Sequence, residues 1–123
     1  MKNKVLISFY LFACLICIPV CHLDAADEAT MQAEQWFLKT NKQVDSLYQK
    51  ILVKLDVKQK KIFKESQEAW IQYREKDADA QADALAGGGS IYTTYYLGNK
   101  AELNEERIKA LEKFLKSLTV ALP

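Results

Sequence analysis

Gln67-Glu68-Ala69-Trp70-Ile71-Gln72-Tyr73-Arg74-Glu75 places two aromatic residues three apart in a helical pattern that runs on through Asp77 and Asp83 and breaks at Gly87-Gly88-Gly89-Ser90. Ile62, Phe63, Ala69, Trp70 and Tyr73 fall on one side of that helix, which predicts an apolar face packed on neighbours. Three successive glycines inside a helix would each cost roughly 1 kcal/mol relative to alanine, so the helix ends there in a loop.

Upstream, Trp36, Phe37, Val44, Leu47, Tyr48, Ile51, Leu52 and Leu55 recur at steps of three and four, the stripe of a long amphipathic helix. Asp56 followed by Gln59 is a capping-box variant, which turns the chain sharply into the next helix and makes the two antiparallel. Downstream of the glycines, Ile91 to Leu97 carries Tyr92, Tyr95 and Tyr96 and reads as a short helix closed by Gly98-Asn99. Asn104 then reads as the N-cap of a last helix, with Glu105 and Glu106 in its first turn and Ile108, Leu111, Leu115 and Leu118 along its seam. The expected fold is all-α: a small antiparallel bundle of three long helices plus a short helix after the Gly-rich loop.

The N-terminus has a different character. Lys2 and Lys4 precede an apolar run from Val5 to Val20, followed by Leu23-Asp24-Ala25, the order of an export signal cut after Ala25. Residues 1–25 are thus expected to be a signal peptide and 26–123 a single exported domain. A retained anchor is the weaker alternative, because the run is short for a span of ~20 residues. Lipidation at Cys14 is weaker still, since it would leave an apolar mature start at Leu15-Ile16-Cys17-Ile18.

Cutting there removes Lys2, Lys4 and Asp24, so 17 basic and 16 acidic residues become 15 of each. A neutral domain lacks the clustered cations that displace counterions from nucleic acid, so none is expected as a partner. His22, Cys14, Cys17 and Cys21 all lie in the leader. Without imidazole or thiolate, Cys-His and Ser-His-Asp catalysis and ordinary zinc sites are excluded from the exported domain, and no cofactor is expected. Asp77, Asp79 and Asp83 diverge around a helix axis and do not converge on a metal.

In order, Gln67-x-x-Trp70-x-x-Tyr73-Arg74-Glu75, Gly88-Gly89-Ser90 and Leu103-Asn104-x-x-Arg107-x-x-x-Leu111 resemble the secreted lysozyme inhibitor LprI-like family, over about Val44 to Phe114. Glu75 stands where the family has Asp, and Asn104 where it has Thr. The family also carries cysteines flanking the Gly-Gly-Ser turn; here those neighbourhoods read Asp77-Ala78 and Gly98-Asn99. A bridge across a loop of that length would contribute ~3 kcal/mol in the chain-entropy model, so its absence predicts a looser turn.

The resemblance implies a non-enzymatic, periplasmic or secreted protein whose partner is a lysozyme or another muralytic enzyme. Gln67, Trp70, Tyr73, Arg74 and Arg107 are the candidate structural motif, with Trp70 and Tyr73 in the core and the two arginines bracing the loop. Asp83, Gly88, Gly89, Ser90, Tyr92, Thr93 and Tyr95 are the candidate partner surface, rich in hydroxyls and aromatic faces suited to a sugar-binding cleft. Against this, Tyr92, Tyr95 and Tyr96 could instead seal the end of the bundle. Two rival functions remain open. One is an immunity or envelope-stress protein neutralising another secreted toxin. The other is a hydrolase using two of Glu68, Glu75, Asp77 or Asp83, disfavoured because these lie along one helix rather than facing across a cleft.

Overall fold

The computed structural model describes residues 25–121, so the expected signal peptide, with His22 and the three cysteines, lies outside the described residues except for Ala25. The described residues form three helices, α1 (Ala25–Leu52), α2 (Val57–Ala86) and α3 (Tyr92–Ala121), with no strand among them.

The corner after α1 is built as the local sequence requires. Asp56 sits in an extended conformation; its carboxylate accepts from the Gln59 amide at 2.8 Å while the Gln59 side chain accepts from the Asp56 amide at 3.0 Å. Two otherwise orphaned amides at the start of α2 are thereby satisfied. At the other end, Gly87 terminates α2 with φ 56° and ψ 33°, and its amide donates to the Asp83 carbonyl at 2.8 Å. This left-handed position is one that glycine adopts without a Cβ penalty.

The expected short helix is not a separate element. α3 runs unbroken from Tyr92, through Gly98-Asn99, to Ala121. Gly98 has no positive φ and open space around it. Its intrinsic cost of roughly 1 kcal/mol in a helix is outweighed by the packing of the turns on either side, where Lys100, Ala101 and Asn104 are all buried. Asn104 consequently does not cap a helix; it lies inside one, fully buried.

The pairing of side chains gives the directions. Thr30 meets Thr94 and Thr40 meets Asn104, both pairs 64 residues apart, so α1 and α3 advance in the same sense. Tyr48 stacks on Phe63 while Asn41 meets Arg74, so α2 returns against α1. The apolar core occupies the corner half, where Val44, Ile51, Leu55, Phe63 and Leu111 are buried and Leu47, Trp70, Ile108 and Leu115 pack against them. In the half that carries the glycine turn, the buried apolar residues are alanines: Ala33, Ala78, Ala82 and Ala101. Their small side chains bring the helices close around polar groups.

Candidate functional site

Arg74 organises the polar half. It is buried to 6% exposure, and its Nη1 donates to Asn41 Oδ1 and to Asn104 Oδ1, each at 2.9 Å. Its Nε and Nη2 donate to Glu75 Oε1 at 3.0 and 2.7 Å. Asn104 passes the chain on, its Nδ2 donating to Thr40 Oγ1 at 3.1 Å, and the Thr40 hydroxyl donates back to the α1 backbone at Trp36 and Phe37. One guanidinium thus ties all three helices together with its charge paired and four of its five N–H donors bonded, the condition under which a buried ion is tolerated.

Lys100 closes the other side. Its Nζ lies 2.8 Å from Glu75 Oε2, 4.3 Å from the Phe37 ring centre and 4.8 Å from that of Tyr96. The Tyr96 hydroxyl also donates to Glu75 Oε2, at 2.5 Å. Desolvation alone would raise the Glu75 pKa, but hydrogen bonds from Lys100, Tyr96 and Arg74 outweigh it and bring it down to about 2. The same pair pushes Tyr96 up to about 12, by desolvation and by its bond to the carboxylate.

Two guanidinium groups lie against the Trp70 ring, that of Arg74 at 5.1 Å and that of Arg107 at 5.3 Å from its centre. Arg107 Nε and Nη2 both donate to Gln67 Oε1, at 3.2 and 2.9 Å, and burial lowers the Arg107 pKa. Gln67, Trp70, Arg74 and Arg107 therefore form one contiguous cluster. Tyr73 does not join it: it is 54% exposed and points off the cluster face, correcting its expected core position. The arginines also do not brace the glycine loop. They sit mid-bundle, where a charge flanked by aromatic faces replaces an apolar layer.

The sequence reading missed Thr40, Asn41, Lys100 and the buried role of Asn104. The signal was present, because Asn104 continues the stripe of Ala101, Ile108 and Leu111, and Thr40 that of Ala33, Val44 and Ile51. A polar residue in phase with an apolar stripe is buried and needs a partner.

At the turn, Gly87, Gly88, Gly89, Ser90 and Thr93 are exposed, with Ile91 at 44% and Tyr95 at 36%. Asp83 is exposed beside them. Tyr92 is half-buried, its hydroxyl donating to Asp79, which raises its pKa, and its ring stacks on Tyr96 at 6.0 Å. Tyr92 and Tyr96 therefore lean on α2, while Tyr95 faces outward. Where the resemblance led to expecting cysteines, Ala78 is fully buried and the buried Asn99 Nδ2 has no partner among the described residues. The helices flanking the turn are joined instead by Tyr92–Asp79, Tyr96–Glu75 and Lys100–Glu75. The turn is stapled by polar side chains rather than by sulfur.

The fold is an all-helical bundle whose three helices are joined by an internal polar network beneath an exposed glycine turn. The family model for the lysozyme inhibitor LprI matches residues 21–111, and the chain belongs to that family. No curated protein and no solved structure matches the chain. Among the described residues no helix is long and apolar enough to cross a membrane, and no cluster of potential metal ligands is found.

Proposed function

We propose that the chain is an exported, non-catalytic inhibitor that binds a lysozyme-type cell-wall hydrolase and occludes its cleft with the glycine-turn end. Membership of an inhibitor family supports the class of partner. The observation that carries the choice of surface is the exposure of Gly88, Gly89, Ser90, Thr93 and Tyr95 on a turn held from behind by the Glu75 network. A rigidly supported tip loses little entropy on binding. Exposed Asp83, at the same end, would attract a basic hydrolase over long range.

The polar network carries the scaffold and the turn carries the contact. Because Tyr92 is tied to Asp79, Ser90 and Tyr95 are the cleaner probes of contact. Purified residues 26–123 in a lysozyme turbidity assay should slow lysis, and the Ser90→Ala, Tyr95→Ala double variant should weaken that effect about tenfold with an unchanged Tm. No slowing at micromolar excess against several lysozyme types would overturn the proposal and leave another secreted toxin as the partner to seek. Slowing that survives the double variant intact would move the contact off the turn.

A further inference from the structure

Charges that cancel over the exported chain are sorted by the fold along its long axis. Segments 25–40 and 75–106, which meet at the glycine-turn half, hold ten carboxylates against three lysines. Segments 49–66 and 109–121, which meet at the α1–α2 corner and the end of α3, hold nine lysines against three carboxylates. α1 alone has 28 residues and so spans about 42 Å, several times the Debye length of ~8 Å in physiological salt. A partner at the corner therefore meets the basic end without sensing the acidic one.

The corner also exposes apolar side chains where water is most accessible. Val53 is 77% and Val57 86% exposed, and Lys50, Lys54, Lys58 and Lys61, all exposed, lie within four residues of one or other. The nearest carboxylate, Asp56, is occupied by its capping bond to Gln59. Behind the corner, an open groove of about 350 Å³ between α2 and α3 is bordered by exposed Ile62 and Phe114. A soluble polyanion would satisfy the lysines but leave the valines in water. A bilayer surface satisfies both, taking apolar side chains below its headgroups and attracting lysines to its phosphates.

We propose that the α1–α2 corner docks peripherally on phospholipid bilayers bearing anionic headgroups, with Val53 and Val57 inserted and Lys50, Lys54, Lys58 and Lys61 facing the phosphates. The inference stands independently of the inhibitory reading. It would direct the glycine turn away from the bilayer by roughly the length of the bundle, ~40 Å.

Residues 26–123 contain α2, α3, all of α1 but Ala25, and the whole of the described core, and exclude the apolar run Val5 to Val20. Their sedimentation with phosphatidylcholine vesicles, with and without phosphatidylglycerol, provides the test. Partition should be about tenfold stronger onto the anionic vesicles and should fall with added salt. The triple variant K54Q/K58Q/K61Q should weaken it about a hundredfold, and V53S/V57S about tenfold, each with unchanged helicity and Tm. Equal sedimentation with both vesicle types would overturn the proposal. So would full binding by V53S/V57S together with competition by dextran sulfate, which would mark the corner as a polyanion site.

Discussion

Between the corner and Trp70 the helices meet through Ile51, Leu55, Phe63 and Leu111; beyond Trp70 they meet through Thr40, Arg74, Lys100 and Asn104. The first region is held by non-directional burial, which tolerates apolar side chains of similar volume. The second is held by hydrogen bonds and ion pairs whose partners must be present in position, because a buried polar group left alone costs more than the bond contributes. The glycine turn is attached to the second region. Its geometry therefore depends on directional contacts rather than on apolar packing.

The largest effect should come from breaking the directional half at its centre. Arg74→Met removes the donor shared by Asn41, Asn104 and Glu75 and should lower stability by about 4 kcal/mol in chemical denaturation. Asn104→Leu preserves size yet leaves the guanidinium and Thr40 short of a partner, for about 3 kcal/mol. In the apolar half the matching volume-conserving change, Leu111→Met, should cost only about 1 kcal/mol. Equal losses for Asn104→Leu and Leu111→Met would erase the distinction between the two halves.

Acid should separate them next. Because the folded pKa of Glu75 is depressed to about 2, its contribution is complete above the unfolded value near 4.5 and is lost as pH falls through about 2. Stability measured from pH 5 to pH 2 should decline in the wild type, and Glu75→Gln should flatten part of that slope while lowering stability at neutral pH. A parallel slope in the variant would show that the carboxylate is not held by Lys100, Tyr96 and Arg74 in solution.

The smallest effects should lie at the turn and on the exposed side of α2. Gly87→Ala forces a Cβ into the left-handed region and should cost about 1 kcal/mol, although open space surrounds that Cβ. Tyr73→Ala, at an exposed position, should shift stability by less than about 0.5 kcal/mol. A loss of 2 kcal/mol or more at Tyr73 would return it to the core.

Much of this was legible in the chain. The capping box at Asp56-Gln59 and the stop at Gly87 are local chemistry, satisfied within four residues, and both are found where the sequence places them. The motif residues Gln67, Trp70, Arg74 and Arg107 lie in one cluster, but Tyr73 lies outside it and the arginines sit mid-bundle rather than at the loop. Gly98-Asn99 misled because local propensity opposes a helix there by about 1 kcal/mol, and only contacts with α1 and α2 supply more than that. Asn104 misled for the converse reason: its residue type suits a helix start, while its phase with Ala101, Ile108 and Leu111 marks it as inward-facing and its partners, Arg74 and Thr40, come from the other two helices.

By itself the sequence determined an all-helical chain, its sharp corner and glycine stop, and the family to which it belongs, because periodicity, capping and motif order are properties of neighbours along the chain. The tertiary structure alone decided which partners the inward-facing polar residues meet and how the charges are distributed in space. Arg74 finds Asn41 and Asn104 across gaps of 33 and 30 residues. The charges of residues 25–121 sum to zero, and they separate into an acidic end and a basic end only when three helices are laid side by side, since electrostatic fields depend on distance in space and not on order in the chain.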